Sequence, residues 1–154
     1  MLRPMKTFCK LILLLLPCGL ASAADLPFAR AESAFLGKRY ECVLTESYLT
    51  NAPTWDAEKT PPPLSPKQAA SVARSALLSQ FGNHPSYPPA NTEPGWLATQ
   101  IALVKGGDFG PREFWYYKIG LIPMSPDMSN APPLTVFVAM SGRVAPLKEI
   151  PKNP

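Results

Sequence analysis

The chain carries a single histidine, His84, so any chemistry that needs an imidazole base or ligand has to run through it. It stands in Gly82-Asn83-His84-Pro85, with no second histidine and no closely spaced cysteine pair to complete a zinc set. Carboxylates are better supplied. Glu41, Glu46 and Glu113 lie on segments with strand character, and glycoside-hydrolase chemistry needs two such groups flanking one bond. The ordinary role of charged side chains on strands is solvation. Gly106-Gly107-Asp108-Phe109-Gly110 spells the metal-binding letters of a kinase, but no His-Arg-Asp loop or glycine-rich phosphate loop accompanies it. Asp108 is expected in a turn, bonded to its own backbone. No Gly-x-Ser-x-Gly elbow is present to expose a serine nucleophile. These residues therefore assign no catalytic group, no metal ligand and no cofactor site.

The run Phe114-Trp115-Tyr116-Tyr117 is the strongest departure from a plain core. Consecutive strand residues point to opposite sides, so Phe114 and Tyr116 share one face while Trp115 and Tyr117 share the other. One pair is expected to pack inward. The other is expected to cover neighbouring strands or to meet a partner, with Trp115 or Tyr116 as its anchor, since indole and phenol rings join apolar area to a polar tip. All four residues are candidate partner contacts.

The elements that must position these residues are bounded by proline clusters: Pro61-Pro62-Pro63 with Pro66; Pro85, Pro88, Pro89 and Pro94; and Pro123, Pro126, Pro132 and Pro133. Residues 25–37 suggest a short helix. In 38–48, Tyr40, Cys42 and Leu44 alternate with polar residues, which reads as a half-buried strand with Cys42 as a small buried side chain. Trp55, in the connection that follows, is expected to fold back onto the domain.

Residues 65–81 carry a complete helix signature. Ser65 is the N-cap, Pro66 the first helical residue and Gln68 the partner that closes a capping box. Ala69, Val72, Ala73, Ala76, Leu77 and Gln80 recur at helical spacing, and Gly82 suits the position after the helix. The small inward side chains allow a close approach to a sheet, with Val72, Ala76 and Leu77 pointing into it. Three further strands are expected over 96–104, 112–122 and 134–140. In the first, Leu97, Thr99, Ile101 and Leu103 share a face. Residues 105–111 form a hairpin loop, and Ser141-Gly142 turns the chain into a fourth strand over 143–150.

The N-terminus reads as an export leader. Arg3, Lys6 and Lys10 precede the apolar run from Leu11 to Leu16, and Ala21-Ser22-Ala23 is a small-residue cleavage site that places the mature start at Ala24. The apolar run is shorter than the roughly 20 residues that cross a bilayer. Residues 1–23 are thus expected to leave, and 24–154 to form one small domain, secreted or periplasmic, with no transmembrane anchor. Of the 15 basic residues, Arg3, Lys6 and Lys10 leave with the leader, so the remainder nearly balances the 11 acidic ones. Nothing in that balance points to nucleic acid. Cys9 and Cys18 leave as well, so Cys42 has no intramolecular disulfide partner.

The order strand, helix, then successive strands implies an α+β fold, with one main helix laid across a three- to five-stranded antiparallel sheet in a cystatin-like outline. Residues 65–144 resemble the PepSY-like secreted bacterial modules. The likeness is carried by the alanine-rich helix Ala69-Ala70-Ser71-Val72-Ala73-Arg74-Ser75-Ala76-Leu77 and by Val136-Phe137-Val138-Ala139-Met140 running into Ser141-Gly142-Arg143-Val144. The chain departs from them in its proline-rich insertions and in lacking an Asp before the turn. The resemblance implies a non-enzymatic interaction or inhibitory domain and carries over no catalytic residue. The expectation is a binding domain for a protein or peptide, or one that associates with itself. The alternative is a small hydrolase using carboxylates or His84.

Overall fold

The computed structural model describes residues 27–50, 52–82, 95–106, 113–124 and 132–151. His84 and Asp108 lie outside them, as do residues 1–26, which include the segment expected to be a leader.

The chain opens with β1 (Pro27–Phe35) and β2 (Lys38–Thr45), an antiparallel hairpin closed by Leu36-Gly37. Both turn residues have positive φ, 52° and 72°, the backbone of a two-residue type I′ turn whose twist matches that of the flanking strands. Where it is described, the short helix expected over 25–37 is thus a strand, Pro27–Phe35, and the hairpin turn after it. Alanines at 29, 31 and 34 favour helix locally, but Ala29, Ala31 and Ser33 pair across from Leu44, Cys42 and Tyr40, and that pairing overrides propensity. Tyr40, Cys42 and Leu44 are buried as their alternation requires. The strand ends at Thr45, earlier than expected, where the helical turn α1 (Glu46–Leu49) buries Leu49.

Helix α2 (Pro66–Phe81) begins as its sequence dictates. Ser65 Oγ accepts from the Gln68 amide at 3.3 Å, and Gln68 Oε1 accepts from the Ser65 amide at 2.9 Å. Its buried stripe is Ala69, Ala70, Ala73, Leu77 and Phe81. Val72 and Ala76 are only half-buried, one step round from the expected line of contact. Gly82 takes right-handed backbone values rather than the left-handed ones of a stop residue.

Strands β3 (Trp96–Lys105), β4 (Trp115–Pro123) and β5 (Leu134–Ala139) form an antiparallel sheet in that order. A second antiparallel sheet joins β1, β2 and β6 (Leu147–Ile150). The protein is α+β, with its strands divided between two three-stranded sheets rather than gathered in one. The sheets meet where β5 turns back: Ala139 N–H donates to Arg143 O and Ala145 N–H to Phe137 O, and the chain then enters β6. Helix α2 covers one face of the β3-β4-β5 sheet, where Tyr117, Ile119, Leu121, Leu134, Val136 and Val138 are buried. On the opposite face, β1 and β2 pack against β5, and Phe137 and Ala139 are buried there too. The β1–β2 hairpin covers that face over β5.

β3 differs most from its sequence pattern. A register shift between Ala98 and Gln100 inserts one extra residue, so Leu97 pairs with Ile122 while Ile101 pairs with Ile119. Leu97 therefore points away from the face that Ile101 and Leu103 share. All three remain exposed, at 42%, 41% and 38%.

Candidate functional site

β4 sorts the four aromatic candidates. Tyr117 is core: it is fully buried beside α2, and its hydroxyl donates to Leu64 O at 2.7 Å just ahead of the helix. Tyr116, on the opposite face, is buried against Phe28 and Phe137, with ring centroids 6.0 and 5.6 Å away. Burial pushes both phenols above their ordinary pKa. Phe114 is half-buried, its ring edge-on to Phe28 at 6.2 Å. Trp115 shares the helix face with Tyr117 but stands at the start of the strand. There it meets Trp55 from the connection before α2, ring centroids 5.0 Å apart and planes inclined by 66°. The expectation that Trp55 folds back is realised on this partner.

Together the two indoles form one wall of an open cleft of about 780 Å³, completed by Thr54, Asp56, Ala57, Glu58, Lys105 and Glu113. The sequence holds each part in place by a local device. Asp56 accepts the Glu58 amide at 3.1 Å, and the Lys59 and Thr60 amides donate to its carbonyl at 3.2 Å, making a tight turn. Trp55 Nε1 donates to Thr60 O at 2.8 Å, which fixes the ring over that turn. Lys105 ends β3 and Glu113 stands two residues ahead of β4, and their side chains pair at 2.5 Å. The Gly106 amide donates to Phe114 O at 2.7 Å beside them.

Three carboxylates face Lys105 in this lining. Asp56 is further engaged by Lys59 at 2.7 Å, while Glu58 forms no ion pair with a described residue. These pairs are exposed and individually weak, so a ligand can displace them at little cost. Trp115 Nε1 is buried with no hydrogen-bond partner among the described residues, a donor that the present packing leaves unused. An arrangement of ring faces beside net negative charge suits a cation held over aromatic carbon.

The other acidic candidates lie elsewhere. Glu41 bonds Arg30 at 2.9 Å on the outer face of the β1–β2 hairpin, and Glu46 occupies the first turn of α1. A second groove, of about 430 Å³, runs past that Arg30–Glu41 pair. Its one aromatic, Tyr48, already carries the Arg143 guanidinium 4.5 Å from its ring centre. Among the described residues no group of three His, Cys, Asp or Glu side chains is placed to hold a metal ion. None of the described helices is long and apolar enough to cross a membrane.

Residues 55–58 and Lys105 belong to the cleft without any sequence signal linking them to Trp115. Only the expectation that Trp55 folds back pointed there. No protein-family model, curated protein or solved structure matches the chain.

Proposed function

We propose that this chain is an exported, non-enzymatic binding domain, secreted or periplasmic, of the PepSY-like and cystatin-like outline that its helix-and-strand order resembles. Its partner is a protein or peptide that inserts a basic side chain into the Trp55–Trp115 cleft. The observation that carries this reading is the pairing of the two indoles above a lining in which Asp56, Glu58 and Glu113 outnumber Lys105. Trp115 is the anchor among the aromatic candidates because it alone of the four lines that cleft, while Tyr116 and Tyr117 support it from the core.

Indole fluorescence tests the reading directly. Short lysine- and arginine-rich peptides titrated into the protein are expected to perturb tryptophan emission saturably, and acidic peptides of equal length are not. Trp115→Ala should remove about 2 kcal/mol or more of binding, the scale of an aromatic anchor. Trp115 also contributes to packing, so the exposed Glu58→Gln provides a second variant: it should weaken the basic peptide while leaving the melting curve unchanged. Equal response to acidic and basic peptides, or full affinity in both variants, would overturn the proposal.

A further inference from the structure

Exposed large apolar side chains among the described residues are Leu78, Leu97, Ile101, Leu103 and Met124. Three of the five lie on β3. Met124 adjoins it, its amide donating to Gly95 O at 3.2 Å just before the strand begins. The apolar surface of the described molecule is thus concentrated along one sheet edge.

That edge is open. β3 pairs with β4 on one side, and no described strand pairs with it on the other. An edge strand presents a row of backbone donors and acceptors, and proteins that remain monomeric guard such rows with charge or proline. β1, the edge of the other sheet, carries Arg30 and Glu32, each in an ion pair across to β2. From Trp96 to Val104, β3 has no charged residue and no proline.

We propose that two copies of this chain join edge to edge through β3, antiparallel, about a two-fold axis at Ala102. Residues directly opposite in an antiparallel pair must point to the same face, so the axis has to pass through a residue rather than between two. An axis at Ala102 sets Ile101 opposite Leu103 of the second copy, and Leu103 opposite its Ile101. Both pairs fall on the α2 side of the sheet, along the edge that the helix does not reach. Gln100 then lies opposite Val104, and the paired stretch stops short of the irregularity between Ala98 and Gln100. An axis at Ile101 would instead place Leu103 against Thr99, inside that irregularity. The occupant is a second copy because β3 supplies its own complement: in this register its two apolar side chains cover each other, and no charge is buried. The two three-stranded halves become one continuous six-stranded sheet, an isologous assembly of the commonest symmetry.

Sedimentation velocity over a range of micromolar concentrations is expected to show a dimer that dissociates on dilution. Ile101→Lys and Leu103→Lys place charge on the shared face and should yield monomers with an unchanged far-UV spectrum. A fold disturbed by either lysine would leave the geometry testable by cross-linking. Ala102→Cys puts one thiol on each side of the axis and should oxidise to a disulfide-linked dimer, whereas Lys118→Cys on β4 should not. A chain that stays monomeric at every concentration overturns the proposal, whether its β3 amides exchange rapidly or are protected by its own segments. So does a dimer insensitive to both lysines that leaves Ala102→Cys unlinked.

Discussion

Two positions illustrate how far single residues control this structure. Gly106 lies under the ring of Phe28, and a β-carbon built there would stand 2.1 Å from two ring atoms. The ring has little room to retreat, since Phe114 and Tyr116 meet it edge-on. Gly106→Ala should therefore overpack the junction between β1 and the start of β4, at a cost of about 1–3 kcal/mol. Urea denaturation of the variant measures it, and an unchanged midpoint would mean that Phe28 moves freely. Cys42 is fully buried, its Sγ donating to Ala145 O at 3.6 Å, and burial pushes its thiol up to about 11. A thiol so protected and so rarely ionised should not react with an aromatic disulfide reagent at pH 8 in the folded protein, and should react fully in guanidinium.

Among the elements, α2 reveals why its alanines matter. Ala69 and Ala73 have no exposed surface, so the helix backbone sits close to the β3-β4-β5 sheet. Enlarging Ala73 to Leu forces the helix off the sheet and should cost about 1–3 kcal/mol. The half-buried Ala76, one step round the helix, should accept the same change with a smaller loss. Comparing the melting temperatures of Ala73→Leu and Ala76→Leu orders the two positions, and the reverse order would mean that the helix is rotated from the orientation described. The β1–β2 hairpin is decided differently. Its small residues become a strand only because Tyr40, Cys42 and Leu44 stand opposite and Leu36-Gly37 closes the turn.

Across the whole molecule, several buried groups titrate in the same direction. Cys42, Tyr40, Tyr116 and Tyr117 all have pKa values raised by burial, and Lys38 is raised by its hydrogen bond to Glu149. In the unfolded chain these groups release their protons at lower pH than in the folded one. Above about pH 9, where the thiol of an unfolded chain is already half ionised, the unfolded state binds fewer protons and stability must fall as pH rises. The contribution is complete below pH 9 and is lost through about pH 11. Melting temperatures are expected to hold from pH 7 to 9 and to drop steadily beyond it, and Cys42→Ala should flatten the first part of that drop. A melting temperature constant to pH 11 would contradict the burial described.

What the sequence determined by itself is everything whose signal fits within one turn of helix or one strand period. The Ser65–Gln68 capping box with Pro66 set the start of α2. The alternation Tyr40, Cys42, Leu44 and the run from Leu134 to Ala139 set the buried faces of β2 and β5, and Ser141-Gly142 set the turn toward β6. These rest on backbone donors, on φ limits and on the pointing of side chains, all of which act between near neighbours. Tertiary structure decided the rest. It divided the strands between two sheets, made a strand of residues whose alanines favour helix, and inserted the irregularity that turns Leu97 away from Ile101. It also left the apolar side chains of β3 uncovered and brought Trp55 onto Trp115. Each outcome depends on which segments, far apart in the chain, compete for one surface, and local residue types carry no record of that competition.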